Sequence, residues 1–134
     1  MSADPPADAD PRASALAYLA AFGTGDPDDI AACVTEDFFN EHVSALGSSS
    51  RGRDEYRSRL PGFLSQFAGL RYDVEDVVAD DNRVVVAYTM RASWKGEHDI
   101  SIRGVFRFDV VGGLIAHRTD YWDSLEFLRQ TGQA

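Results

Sequence analysis

Cysteine and histidine are scarce in this sequence, and their scarcity excludes several kinds of site. The single Cys33 cannot form an internal disulfide and cannot supply a thiolate metal cluster. The three histidines, His42, His98 and His117, do not have the HxxxH or HExxH spacing of zinc sites. We therefore expect no metal centre.

Basic residues and long hydrophobic runs are also few. The 134 residues include 13 Lys+Arg against 22 Asp+Glu, a net charge of −9, and no basic run is present. Phosphate-rich partners would be repelled, so neither nucleic acid nor a membrane surface is an expected partner. No apolar run approaches the roughly 18 residues of a transmembrane helix.

The first ten residues, MSADPPADAD, are small, acidic and rich in proline. They lack the basic and apolar regions of a secretion signal and are predicted to be a disordered lead-in. The hydrophobic content of the whole chain, 44%, is ordinary for a globular protein. Residues 11–134 are long enough for one domain with one core. We expect a cytoplasmic, single-domain protein.

Helix signals dominate the first half of the chain. Asp10-Pro11 and Asp26-Pro27 each place an N-cap aspartate before a proline at the first helical position. A third helix is predicted from about Arg53 to Phe67, with apolar residues at the 3.6 period and with Pro61 expected to kink or divide it. Between the second and third helices, DFFNEHV at 37–43 has the composition of a short strand.

The second half alternates polar and apolar residues as strands do. The predicted strands are followed by a short final helix at Ser124–Gln130, and Gly112-Gly113 suits the tight turn between the last two strands. The strands are Leu70–Glu75, Arg83–Trp94, Asp99–Val111 and Leu114–Trp122. Three N-terminal helices and an antiparallel meander predict an α+β fold, whose curved sheet would wrap the helices and enclose a central pocket.

Several motifs, taken in their order along the chain, resemble those of a known family. They are YLAAFGTGD at 18–26, DFFNEHV at 37–43, GVFRFD at 104–109 and the closing DYWDSLEFLRQTG. From about Arg12 to Gly132 the chain resembles the NTF2-like superfamily, and most of all its SnoaL-like polyketide cyclase and ketosteroid isomerase-like group. The resemblance implies a cone-shaped fold, but function must be argued from the site because the superfamily also has noncatalytic members.

The resemblance implies roles for residues in the cone. Compared with ketosteroid isomerases, Tyr18 matches the oxyanion-binding tyrosine, His42 replaces the general-base aspartate, and Gly104 replaces a second oxyanion donor. Compared with limonene-type epoxide hydrolases, Asn40 and His42 match the water-positioning pair, and Asp120 matches one of two carboxylates. The catalytic acid of SnoaL-like cyclases lies on the last strand.

Two strands carry the candidate side chains. Asn40 and His42 are two residues apart and share one strand face, as do Asp120 and Trp122. Alternation by itself favours a solvent-facing His42, with Phe39 and Val43 in the core, whereas the resemblance turns His42 into the pocket.

Two aspartates are candidates for the catalytic acid that the family resemblance places on the last strand. Asp120 could be an exposed partner of Arg118, or a pocket carboxyl whose pKa burial would raise. Asp123 could be the acid if the alignment with the family is shifted, or it could be the N-cap of the final helix. Arg91 is the cation that could meet Asp120.

The leading hypothesis is a small cofactor-free enzyme acting on a hydrophobic small molecule by acid–base chemistry. His42 and Asp120 would be catalytic, while Tyr18, Asn40, Trp122 and Arg91 would bind the substrate; isomerisation, cyclisation, dehydration and hydrolysis all suit such a pocket. The alternative is a noncatalytic ligand-binding or dimerising domain. The resemblance also implies a homodimer through the sheet, with Val86, Tyr88 or Val105 on the exposed face.

Overall fold

A computed structural model describes residues 10–134 of the chain. The predicted lead-in therefore lies, apart from Asp10, outside the described residues. The helices and strands follow the predicted order, with a short 3-10 helix at Phe22–Thr24. The helices are α1 (Pro11–Ala21), α2 (Pro27–Ala31), α3 (Arg53–Gln66) and α4 (Ser124–Gln130), and the strands are β1 (Val34–His42), β2 (Ser50–Arg51), β3 (Phe67–Asp80), β4 (Arg83–Trp94), β5 (His98–Val111) and β6 (Leu114–Trp122).

Three aspartates begin helices by capping free backbone N–H groups. The Asp10 carboxylate accepts from the Arg12 amide at 3.0 Å, and the Asp26 carboxylate from the Asp28 amide at 2.9 Å. Asp123 caps α4 by accepting from the Glu126 amide at 3.0 Å. Side-chain caps of this kind satisfy donors that the first helical turn leaves free. Both Asp-Pro helix starts are thus confirmed.

All six strands form one mixed sheet in the order β2-β1-β6-β5-β4-β3. The meander β3–β6 is antiparallel, as predicted, but β1 pairs with β6 in parallel. Shifts in strand register interrupt the pairing of β1, β3 and β5, and such bulges bend the strands that carry them. The α+β class is confirmed, with a curved sheet that is mixed rather than purely antiparallel.

Three element predictions need correction. Helix α3 runs uninterrupted through Pro61, so the proline does not divide it. Strand β3 is longer than the predicted Leu70–Glu75, because pairing with β4 extends to both of its ends. Ser50–Arg51, for which no strand was predicted, pairs with β1 as a two-residue edge strand.

The core fills the space between the helices and one face of the sheet. Helix α1 contacts β3 to β6, and α3 contacts β1 and β3. The fully buried side chains of the core come from both the helices and the sheet and include Ala15, Tyr18, Ile30, Phe38, Val84, Val86, Phe106, Phe108 and Ile115. This face of the sheet therefore supplies the surface on which a site is built.

The opposite sheet face carries paired charges. Arg91 binds Asp73 at 2.7 Å and Arg103 binds Glu75 at 2.9 Å. Val86 and Tyr88 were expected on this face, but both are buried in the core, because alternate residues of β4 point towards the helices. Within residues 10–134, no helix is long and apolar enough to cross a membrane.

Candidate functional site

A cavity of about 510 Å³ opens beside α3, α4 and the sheet. Its walls are mostly apolar, and its polar groups come chiefly from β1, β6 and α3. A smaller cavity of about 70 Å³ adjoins it and shares several wall residues, including His42, Phe63, Arg118 and Trp122. The apolar side chains of the larger cavity are Phe22, Leu46, Leu60, Phe63, Phe67, Trp94, Trp122, Phe127 and Leu128.

The parallel pairing of β1 with β6 assembles the polar end of the cavity. Asn40 lies opposite Arg118 in the register, and His42 lies opposite Asp120. Because side chains two apart on a strand point the same way, all four side chains project to one face. The face carrying Asn40 and His42 thus points inwards, although the alternation pattern by itself favoured solvent.

His42 and Asp120 meet where the two cavities join. His42 Nδ1 lies 3.7 Å from Asp120 Oδ2 and, although buried, makes no hydrogen bond. Burial, followed by the charges of Arg118 and Arg59, lowers the pKa of His42 from 6.5 to about 3. The imidazole is therefore neutral near pH 7 and is a weak base.

Asp120 is held by two donors in a nearly solvent-free position. The Tyr88 hydroxyl donates to Oδ1 at 2.7 Å, and the Arg118 guanidinium donates from Nη2 to Oδ2 at 3.2 Å. Burial raises the pKa of the Asp120 carboxyl, while Arg118 and the Tyr88 hydrogen bond oppose the rise. Asp120 lines the smaller cavity, whereas Asp123 caps α4 and lines neither of these two cavities.

Arg118 is the cation of the site, and the sequence interpretation missed it. Only 4% of it is exposed, its guanidinium carbon lies 4.7 Å from the Phe106 ring centre, and Nη1 donates to the Tyr18 hydroxyl at 2.8 Å. Its position two residues before Asp120 was the available signal, since it puts both side chains on one strand face. A guanidinium stays charged even here, because its intrinsic pKa is very high.

The other predicted substrate-binding residues divide into two groups. Asn40 and Trp122 line the cavity, and Asn40 Oδ1 is buried without a hydrogen-bond partner. Tyr18 is fully buried behind Arg118 and is absent from the cavity wall. The prediction that Arg91 meets Asp120 is wrong, because Arg91 lies on the outer sheet face with Asp73 and Ser101.

Tyr56 is a further polar group of the site, and the sequence interpretation did not single it out. It projects from α3, lines the cavity, and bonds to the Tyr18 hydroxyl with 2.5 Å between the oxygens. Burial raises the pKa of both tyrosines, so both hydroxyls remain protonated near pH 7. The cavity thus ends in neutral hydroxyl, imidazole and amide groups around one buried ion pair.

A metal ion needs a donor set of several side chains placed around it. Over residues 10–134, no group of three or more His, Cys, Asp or Glu side chains is placed to hold an ion. The chemistry available to the site is hydrogen bonding and proton transfer in an apolar surrounding, where electrostatic interactions are stronger than in water.

The sequence matches one family model. The SnoaL-like domain matches residues 15–118, a range that includes β1, most of the sheet and Arg118. No curated protein matches the chain in sequence.

Solved structures share the fold at low identity. A protein of ketosteroid isomerase-like fold from Catenulispora acidiphila, solved with trimethylamine, is 16% identical, with 90% of this chain and 93% of that chain covered at a TM-score of 0.82. TerC, solved with polyporic acid, is 19% identical over 91% of this chain and 98% of its own, with a TM-score of 0.79. An LEH-like epoxide hydrolase from M. tuberculosis is 22% identical over 91% of this chain and 92% of its own, with a TM-score of 0.77. At these identities the likeness shows the fold alone.

Proposed function

Because the chain belongs to the SnoaL-like domain family, we propose that it is a small enzyme that carries out acid–base chemistry on a hydrophobic molecule with its own side chains. The observation that carries the proposal is the meeting of His42 and Asp120, 3.7 Å apart, where a cavity of about 510 Å³ adjoins one of about 70 Å³. A cavity of this size is in the range of small-molecule sites.

The pair gives each member a distinct role. A proton on His42 Nδ1 would face Asp120, which fixes the tautomer and leaves Nε2 as the unprotonated nitrogen. The gap of 3.7 Å is longer than a hydrogen bond, so we propose that it closes when a ligand fills the cavity. Asp120 then stabilises the imidazolium that forms when Nε2 accepts a proton.

The low pKa of His42 limits the substrates that such a base can serve. A neutral imidazole with a pKa of about 3 removes a proton readily only from a position that is already acidic or polarised. A carbon next to a carbonyl group, or a water beside an activated epoxide, meets this requirement. Buried donors near a developing negative charge supply the polarisation.

The substrate class follows from the walls. Phe63, Phe67, Trp94, Trp122 and Phe127 present aromatic surface around the cavity. Flat or polycyclic molecules with one or two oxygen atoms complement such walls. The same fold in TerC is solved with polyporic acid, and in the M. tuberculosis protein it is named an epoxide hydrolase, which supports the broad class without fixing the reaction.

Proton exchange on an aromatic ketone tests the proposal. The probe is 2-acetonaphthone in D₂O, and NMR follows exchange of its methyl protons; styrene oxide in ¹⁸O-labelled water tests the hydrolytic branch. We expect acceleration of one reaction by the wild type, and a loss of about 10²-fold or more in His42→Gln and Asp120→Asn. His98→Gln is the matched control, because His98 does not line the cavity. Equal rates in wild type and both site variants would contradict catalysis by this pair.

A noncatalytic ligand-binding domain is the second candidate. Both Asp120 oxygens already accept hydrogen bonds, and His42 is a weak base, so the same site could anchor a ligand without turning it over. This candidate predicts that 2-acetonaphthone raises the melting temperature of the wild type and less so that of His42→Gln, with no exchange above background.

We also retain as a proposal the homodimer through the outer sheet face. Val105 is half-buried there, beside the ion pairs of Arg91 and Arg103, so an interface on this face would be partly polar. Sedimentation of the wild type against Val105→Glu tests it, since a charge at the centre of the face would shift a dimer towards monomer.

A further inference from the structure

A chain of hydrogen bonds leads from the buried cation to the cavity through two tyrosines. Arg118 Nη1 donates to the Tyr18 hydroxyl at 2.8 Å, and the Tyr18 and Tyr56 oxygens lie 2.5 Å apart. Tyr18 is fully buried, whereas Tyr56 reaches the cavity wall. The direction in which the two hydroxyl protons point decides what the cavity presents to a ligand.

Arg118 sets this direction because a guanidinium can only donate. Tyr18 must therefore accept from Arg118, and its own proton needs a different acceptor. Among the hydrogen bonds of residues 10–134, the Tyr18 hydroxyl has only Arg118 and Tyr56 as partners. If Tyr56 donated to Tyr18, the Tyr18 proton would be buried without an acceptor, which is unfavourable because its lost hydrogen bond to water is not replaced.

The opposite order leaves the buried Tyr18 hydroxyl fully satisfied, since it then accepts from Arg118 and donates to Tyr56. Tyr18 donates to Tyr56, and the Tyr56 proton is then free to turn into the cavity. A positive charge at the start of such a chain strengthens each following donor. Both hydroxyls keep their protons near pH 7, since burial raises the pKa of each.

We propose that Tyr56 is the hydrogen-bond donor to a carbonyl or oxyanion oxygen of the ligand, with Tyr18 and Arg118 as positioning residues that orient and polarise it. The ligand-binding part rests on the function proposed above. It assigns the oxygen-binding role to α3 rather than to α1, where the family resemblance had placed it on Tyr18.

Neutron diffraction of deuterated protein tests the proton order without any ligand. The expected deuterium on Tyr18 lies between the two tyrosine oxygens, and that on Tyr56 points into the cavity. A Tyr56 deuterium directed at Tyr18 would overturn the proposal.

Binding of an acceptor-only ligand tests the consequence. The probe is 2-acetonaphthone, whose carbonyl oxygen can only accept, and its matched control is 2-isopropylnaphthalene, which has no polar atom. In Tyr56→Phe we expect the affinity for the ketone to fall about two- to tenfold, the worth of one hydrogen bond, and the affinity for the hydrocarbon to stay within about twofold. Tyr121→Phe, on the partly exposed outer end of β6, should change neither affinity.

The two proposals fail in different ways. Ketone binding that depends on Tyr56 but shows no proton exchange contradicts the enzyme and supports the donor. Exchange that is lost in His42→Gln while Tyr56→Phe binds the ketone normally contradicts the donor and leaves the enzyme. If the wild type binds neither naphthalene, the cavity is not a ligand site of this class, and the Tyr56 donor is overturned with it.

Discussion

Tyr88 occupies the space that any side chain at position 104 would need. A Cβ built on Gly104 would lie 2.6 Å from Tyr88 Cζ and 2.7 Å from the Tyr121 carbonyl oxygen, both closer than real Cβ atoms approach. The tyrosine reaches this place because Tyr88 and Gly104 are register partners in β4 and β5. From there its hydroxyl holds Asp120, so the missing side chain at 104 makes the Asp120 hydrogen bond possible.

Gly104→Ala should displace Tyr88 and loosen Asp120. We expect a loss of about 1–3 kcal/mol in the free energy of unfolding, the usual cost of overpacking a tight site. Gly62→Ala is the matched control, because a Cβ there meets nothing within 4 Å and alanine favours helix α3 over glycine. Chemical denaturation of both variants measures the difference, and an unchanged Gly104→Ala stability would contradict the close approach.

Arg118→Met should be strongly destabilising because it leaves Asp120 buried without its cation. Breaking one half of a buried ion pair costs about 3–5 kcal/mol. Arg91→Met removes a pair with Asp73 that is shorter but exposed, so it should change stability little. The double variant Arg118→Met/Asp120→Leu should recover much of the loss. If Arg91→Met proved as damaging as Arg118→Met, burial would not be the cause.

The stability of the protein should fall in mild acid because of His42. Its pKa is about 3 in the folded chain and near 6.5 when exposed, so between these values the unfolded chain binds a proton that the folded chain does not. The free energy of unfolding therefore drops as pH is lowered from 6.5 towards 3. Between pH 7 and pH 5 the contribution of His42 is about 2 kcal/mol.

Chemical denaturation of variants at pH 7 and pH 5 measures this contribution of His42 to the free energy of unfolding. His42→Gln should lose stability more gently with acid than the wild type, by about the same amount. His98→Gln, away from the cavity, should follow the wild-type curve. Parallel curves for wild type and His42→Gln would show that the imidazole is not buried as a neutral group.

Asp123→Ala should affect stability but not the site. The carboxylate caps α4 through the Glu126 amide, and removing such a cap costs about 1 kcal/mol. Asp123→Ser keeps a capping oxygen and should recover most of this stability. Thermal denaturation and 2-acetonaphthone binding separate the effects; a selective loss of binding in Asp123→Ala would return Asp123 to the list of site residues.

Much of the fold could be predicted because the ends of its helices and strands are set by nearby residues. The ends of β4, β6 and α4 match the prediction, since turns and the Asp123 cap fix them within a few residues. The parallel pairing of β1 with β6 has no such local signal. Its partners are about eighty positions apart, and only the packed sheet selects them.

The site was predictable only in part for a similar reason. The inward face of Asn40 and His42 came from the family resemblance, because alternation alone favours placing Phe39 and Val43 inside. Arg118 was expected at the surface, since charged side chains are rarely buried without a partner. Asp120 is two residues away on the same strand, whereas Tyr18 lies on α1, and only the folded chain brings the Tyr18 hydroxyl to Arg118.

The polar end of the cavity and its apolar walls have different structural origins, so they can change independently. Backbone pairing sets Asn40 against Arg118 and His42 against Asp120, while α3 and α4 supply much of the surrounding apolar wall. Exchanging wall residues should reshape what the cavity admits without moving the polar pair. A one-residue slip of β1 would instead turn Asn40 and His42 outwards together. For redesign towards new ligands, the wall side chains can be substituted, whereas the pairing of β1 with β6 should be kept.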